Sequence, residues 1–199
     1  MTVTADKLGK RFNREWVFKN FSYEFAEGKT YAITGPNGSG KSTLMQVLCG
    51  QMQHSTGSIV YSISNQSDIY KSVAIAAPYM DLIEEFTLEE MIHFHFKFKN
   101  CRFPIESILE KTGLGSSRDK SISSFSSGMR QRLKLALAFY SEADLLFLDE
   151  PCTNLDKNST AWYLQQLSTV PASVIVFIAS NLENEYPATA DKIDILSYK

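Results

Sequence analysis

The chain has 199 residues, 44% of them apolar and 21% charged, the proportions of one globular domain with its own core rather than a disordered tail or a multi-domain machine. Twenty Lys and Arg against 22 Asp and Glu give a formal net charge of −2 and a pI near 5.9, which argues against nucleic acid as the main partner, because such domains carry a basic excess. Cys49, Cys101 and Cys152 are odd in number, widely spaced and form no CxxC, a pattern that disfavours a disulfide framework or zinc knuckle and fits a reducing compartment.

Met1 to Lys10 shows no apolar h-region, so no secretory signal is expected there. Glycine is scarce, at ten residues, yet four lie between Gly35 and Gly50. There the apolar segment Tyr31–Thr34 runs into Gly35-Pro36-Asn37-Gly38-Ser39-Gly40-Lys41-Ser42-Thr43, and Leu44, Met45, Val47 and Leu48 then recur at helical spacing. The spacing predicts a strand, a loop and a helix that stops at Gly50.

Further along, short strands are predicted at Val60–Ile63 and Val73–Ala76. Thr87 reads as an N-cap with Glu89 and Glu90 in the first turn of a helix predicted to continue through His93–Phe98. Gly113 and Gly115 bracket a turn, Ser121–Gly128 is a serine-rich loop, and a helix is predicted from about Met129 to Tyr140 with Leu133, Leu137 and Tyr140 on one face. Leu145–Leu148 and Val174–Ile178 read as buried strands, and with Val174–Ala179 they are far shorter than the roughly 20 residues that cross a bilayer. Apolar strands alternating with helices predict an α/β fold with a mainly parallel core sheet.

The glycine-rich stretch has the chemistry of a phosphate cradle. Gly35, Gly38 and Gly40 leave backbone N–H groups free to converge on phosphates, and the helix behind them adds its positive end. Lys41 is placed to reach the β and γ phosphates, and the Ser42 hydroxyl to ligate Mg²⁺. Pro36, Asn37, Ser39 and Thr43 complete this candidate nucleotide-binding loop. Downstream, the strand Leu145–Leu148 ends in two carboxylates, Asp149 suited to Mg²⁺ and Glu150 to polarising an attacking water.

With these motifs on hand, the chain resembles the nucleotide-binding domain of the ATP-binding-cassette (ABC) transporter family from about residue 3 to residue 197. Residues 35–43 carry that family's usual wording of the P-loop. Phe125-Ser126-Ser127-Gly128-Met129 occupies the place of its signature Leu-Ser-Gly-Gly-Gln, ahead of a helix with Arg130, Gln131 and Arg132. Asp149-Glu150-Pro151 with Leu155-Asp156 resembles the Walker B motif and D-loop, and Ala190-Asp191-Lys192-Ile193 the segment near the C-terminal strand.

The resemblance implies a P-loop NTPase: one ABC-type domain over 1–199, with an N-terminal antiparallel β part and a helical subdomain inserted at about 80–140. It implies ATP and Mg²⁺ as cofactors and Glu150 as the hydrolytic base. Phe12 falls where an aromatic stacks on adenine, although Trp16 and Phe18 are close by and a core role is open to each. Ser126, Ser127 and Gly128 would face ATP held by a second copy or a homologous ATPase subunit. A polytopic transmembrane subunit on a separate chain is the implied partner, with this chain peripheral at the cytoplasmic face of the membrane. Two alternatives stand beside it: a soluble ABC-type ATPase acting on nucleic acid or ribosomes, and a slow or non-hydrolysing ATP-dependent switch.

Three motifs depart from the family pattern. Ser127 stands where glycine is usual and Met129 where glutamine is usual; Ala77-Pro78-Tyr79-Met80 lacks the expected glutamine; and Asn181 takes the place of the switch histidine. An asparagine amide donates a hydrogen bond but carries no proton or charge for the reaction, so normal ATP binding with slow hydrolysis is expected. In the run Met91–Lys99, His93 and His95 point to different helix faces, which argues against a metal pair, and core packing is the expected role of the aromatics. By resemblance this region lies near the groove that receives a coupling helix.

Overall fold

The computed structural model describes residues 1–62 and 66–199. In chain order it contains β1 (Thr2–Phe12), β2 (Glu15–Ala26), β3 (Thr30–Thr34), α1 (Lys41–Leu48), β4 (Thr56–Tyr61) and β5 (Val73–Ala76). There follow α2 (Leu88–His95), α3 (Ile105–Lys111), α4 (Ser127–Tyr140), β6 (Leu145–Asp149), α5 (Lys157–Ser168), β7 (Ile175–Ala179) and β8 (Asp191–Asp194). The strand expected at Val60–Ile63 is thus the end of β4, and Ile63 lies outside the described residues.

Two sheets result. β1 and β2 form an antiparallel hairpin, and β4 pairs with the other edge of β1, giving the order β2-β1-β4. The second sheet is parallel throughout, in the order β5-β6-β7-β3-β8. Its central strands are buried on both faces, which is why β6 and β7 read as unbroken apolar runs.

Alternate residues of the parallel strands enter two separate cores. Leu145, Phe147, Ile175, Phe177, Tyr31 and Ile33 pack against Leu44, Met45 and Leu48 of α1 and against Phe21 and Phe25 of the antiparallel sheet. Phe147 and Phe177 stack across β6 and β7 with centroids 4.5 Å apart. The other face sends Ala74, Leu146, Leu148, Val176 and Ile178 against α2, α4 and α5, where Leu133, Trp162 and Tyr163 are buried. Each of the Val, Leu, Ile, Phe and Met side chains among these contributes about 1.5–3 kcal/mol on burial. Helices on both faces of a parallel sheet leave the loops at its C-terminal edge free to build a site. No helix among the described residues is long and apolar enough to cross a membrane.

Several expectations shift by a turn. The helix after Thr87 opens as predicted, Thr87 and Glu90 closing a reciprocal capping box, but it ends at His95 instead of Phe98. Phe94, Phe96 and Phe98 alternate with a period no helical face accommodates. The chain tightens into turns there, with Lys97 N–H bonded to Phe94 O and Phe98 N–H to His95 O. Phe94 and Phe96 pack against the core while Phe98 stays 71% exposed. The helix expected at Met129 starts at Ser127, because Ser126 accepts the Met129 N–H at 3.2 Å and caps it.

Candidate nucleotide-binding site

The phosphate loop leaves β3 at Thr34 and enters α1 at Lys41. It folds on a turn in which Ser39 N–H donates to Pro36 O at 3.1 Å. Gly40 caps α1 in a left-handed conformation at φ +102, and a Cβ there would stand 2.4 Å from Cγ1 of Val17. Only glycine satisfies both demands. No side chain caps α1 and its first turn holds no acid, so its opening N–H groups and dipole remain available to an anion. The Lys41 ammonium lies inside the loop, donating to Gly35 O at 2.8 Å and Pro36 O at 3.2 Å.

Asp149 ends β6 beside β7, in register with Ala179. It is 1% exposed, and neither carboxylate oxygen has a hydrogen-bond partner. Burial pushes its carboxyl up; the Ser42 hydroxyl opposes this, the Glu150 charge reinforces it and the Lys41 ammonium opposes it. A buried carboxylate with both oxygens unpartnered and a hydroxyl beside it supply oxygen donors of the kind a hard divalent cation takes. Mg²⁺ fits these residues. Glu150 follows in a left-handed turn at φ +48, its N–H held by Ala179 O at 2.9 Å, a conformation uncommon for a residue with a Cβ.

From β7, the amide of Asn181 reaches the loop, Nδ2 donating to Oδ1 of Asn37 at 2.9 Å. Ser180 N–H bonds to Ile33 O at 3.2 Å and fixes where that side chain starts. The predicted loop residues, Asp149, Glu150 and Asn181 therefore gather at one edge of the sheet.

The signature positions are arranged differently. Phe125 is buried and anchors the segment, whereas Ser126 and Ser127 are exposed at the start of α4. A Cβ on Gly128 would stand 2.9 Å from Asn154 O, and Gln131 Nε2 donates to Pro151 O at 2.9 Å. α4 is thus tied to the segment just after Glu150. No hydrogen bond among the described residues joins Ser126–Gly128 to Gly35–Thr43, so these two groups of predicted residues are not brought together within one chain by such bonds.

The three N-terminal aromatics separate clearly. Phe18 is fully buried, and Trp16 lies over Gly9, whose added Cβ would meet the ring at 2.9 Å. Phe12 sits at the hairpin end, 49% exposed, with the Lys10 ammonium 5.0 Å above its ring. Tyr79, in place of the expected glutamine, donates its hydroxyl to Gln51 Oε1 at 3.3 Å, and burial pushes the phenol up to about 12. Lys134 of α4 holds the neighbouring Pro78 carbonyl at 3.3 Å. A cavity of about 230 Å³ opens nearby, lined in part by Cys49, Gln51, Tyr70, Met80, His95 and Lys99. His95 faces Ser141 Oγ at 3.0 Å, and burial, aided by Lys99, pushes its imidazole down to about 4.

Sequence reasoning named Gln131 only as part of the helix after the signature and missed its bond to Pro151, and it missed Glu185 and Lys199 altogether. Gln131 and Glu185 carry no local motif; Glu185 is 4% exposed, its carboxyl pushed up by burial, opposed by Ser180 and reinforced by Glu150. Lys199 donates to Ser39 O at 2.6 Å and Val17 O at 2.9 Å. All three act through contacts distant in sequence, so no spacing rule points to them.

Residues 18–153 match the family model described as ABC transporter. The lantibiotic transport ATP-binding protein SrtF of Streptococcus pyogenes is 30% identical over 208 residues, covering 98% of this chain and 86% of that protein. Two uncharacterized ABC transporter ATP-binding proteins of Bacillus subtilis (strain 168), YcbN and YdbJ, are each 28% identical. This chain spans 66% of the length of YcbN and 64% of YdbJ. Among solved structures, an ATP-binding subunit of an ABC transporter superposes with a TM-score of 0.86 at 22% identity, covering 98% of this chain and 86% of that one. A putative ABC transporter ATP-binding protein from Pyrococcus furiosus gives 0.85 at 17% identity, covering 100% and 99%. At those identities the superpositions speak to the P-loop α/β fold alone.

Proposed function

Since this chain belongs to the ABC transporter family, we propose that it binds ATP with Mg²⁺, hydrolyses it, and is the ATP-binding subunit of a transporter with its membrane-spanning part on another chain. The observation that carries this reading is Asp149, a buried carboxylate without a hydrogen-bond partner at the mouth of the phosphate loop. A buried carboxylate without a partner costs stability, and a divalent cation would satisfy the same geometry.

In this reading the free backbone N–H groups of the loop and of the start of α1, with the Lys41 ammonium, bind the phosphates, and Ser42 and Asp149 would hold the metal. When bound, Mg²⁺ neutralises charge on the β and γ oxygens. Glu150 accepts the proton of the attacking water. Phe12, exposed at the hairpin end, offers its ring to adenine in exchange for the Lys10 ammonium. Ser126 and Ser127, exposed, and Gly128 beside them, tied by α4 to the segment behind Glu150, serve the nucleotide of a second copy. The family's names for relatives include lantibiotic transport and Nod factor export ATP-binding proteins, which supports transport as the work done. The cavity beside Tyr70, Met80 and His95 suits an apolar segment of the membrane partner.

The Asn181–Asn37 bond favours a slow variant of this chemistry, because the amide donates a hydrogen bond but has no acid–base equilibrium near neutral pH. The test has two parts. Binding of MgATP and release of phosphate by the purified chain are measured, and proteins retained with it from detergent-solubilised membranes are identified. Failure to bind MgATP overturns the reading, and retention of no multi-span protein overturns the transporter assignment.

A further inference from the structure

The phosphate loop is held from behind by a segment that the motifs do not include. β8 pairs with β3 so that Asp194 lies opposite Thr34, the last strand residue before the loop. Asp194 then accepts the Leu196 N–H at 2.9 Å and starts a 3-10 turn over Ile195–Tyr198. Ile195 is fully buried under the start of the loop, its Cγ2 only 2.7 Å from where a Cβ on Gly35 would stand. Tyr198 packs on Phe21 of β2, with ring centroids 4.7 Å apart. This contact delivers Lys199 to the far end of the loop, where its ammonium bonds Ser39 O at 2.6 Å and Val17 O at 2.9 Å.

We propose that Lys199 is a positioning residue of the phosphate loop, tying the Ser39 carbonyl to strand β2 so that the loop N–H groups stay converged on the phosphates. A loop that turns its N–H groups inward turns carbonyls outward, and each of those needs a donor. At Ser39 the N–H is fixed to Pro36 O, and the carbonyl of the same residue is fixed by Lys199. Charge-assisted bonds of this kind are roughly twice as strong as neutral ones. Ile195 and Lys199 therefore brace the loop at its two glycine ends, Gly35 and Gly40.

The inference rests on the nucleotide-binding reading for its functional consequence, and a second readout keeps the two separable. In the full chain, Lys199→Met is expected to weaken MgATP and MgADP alike by about 5-fold by calorimetry, because the braced loop holds phosphates common to both. The loss is expected in Kd and KM rather than in kcat, with the nucleotide-free Tm held, and Lys199→Arg is expected to recover most of the affinity. Amide hydrogen exchange over residues 38–41 of the nucleotide-free chain is expected to quicken in Lys199→Met. Affinities within twofold of the parent overturn the proposal. So do an arginine variant as weak as the methionine one, and a loss of affinity matched by a fall in nucleotide-free Tm. If the parent binds neither nucleotide, the functional reading fails on its own, and exchange at 38–41 still decides whether Lys199 braces the loop: unchanged exchange overturns it.

Discussion

Asn181 and Asn37 join their side-chain amides at 2.9 Å, linking the segment after β7 to the centre of the phosphate loop. The contact pairs two neutral groups at a position where the family pattern has an ionisable one. It is an exposed amide bond, worth about 0.5–1.5 kcal/mol, and so is readily exchanged for a bond to phosphate.

Replacing Asn181 by His supplies an imidazole that carries charge to the γ-phosphate. We expect Asn181→His to raise kcat by about 3- to 10-fold with little change in the Kd of MgATP. Steady-state phosphate release decides this, and an unchanged rate shows that the side chain at 181 does not limit turnover.

Glu150 is assigned the proton of the attacking water. Glu150→Gln keeps the shape of the side chain and removes its basicity, so kcat is expected to fall by about 100-fold or more while MgATP still binds. Full phosphate release by that variant would falsify the role given to Glu150.

Asp149 is buried at a cost to stability. Burial raises its carboxyl above the ordinary range, so in the nucleotide-free chain the ionised form costs stability at neutral pH, and the cost fades as pH falls through the raised value. Asp149→Asn is expected to stabilise the metal-free chain by about 1–2 kcal/mol, or about 2–4 °C in Tm per kcal/mol. Thermal unfolding with and without MgATP checks both halves: the variant should start higher and gain less from the ligand.

His95 predicts an acid-sensitive core. Its imidazole ordinarily titrates at 6.5 and is pushed down to about 4 by burial. The unfolded chain therefore takes up this proton first, and the stability held above pH 6.5 is lost progressively toward pH 4, by about 3 kcal/mol in total. Denaturant unfolding across that window should show a steeper decline in the parent than in His95→Gln. Equal slopes would exclude His95 as the titrating group.

How much of this was legible beforehand varies with the range of the contacts. β3, β6 and β7 were plain because strands buried on both faces are apolar without interruption, and the phosphate loop because its glycines are demanded by backbone geometry at fixed spacing. The residue pattern of the β1 and β2 hairpin gave no such signal. Left-handed backbone at Lys7 and Asn20 and several register shifts disrupt its alternation. α3 and α5 were also not predicted, and α5 buries only Trp162 and Tyr163 along its length. Tyr79 illustrates the remaining gap: its place after β5 was visible, but its bond to Gln51 depends on how α1 ends. Lys199 lies 160 residues from its partner Ser39, beyond the reach of any local pattern.

The alternation of side chains through the parallel sheet gives this chain two packing problems on one backbone. Leu145 and Phe147 belong to the core that holds α1, and Leu146 and Leu148 to the core beneath α2, α4 and α5. Among the described residues, no buried residue belongs to both cores. Core substitutions on one face can thus accumulate without altering volumes on the other, which lets the helical side diversify toward new partners while the nucleotide side keeps its shape.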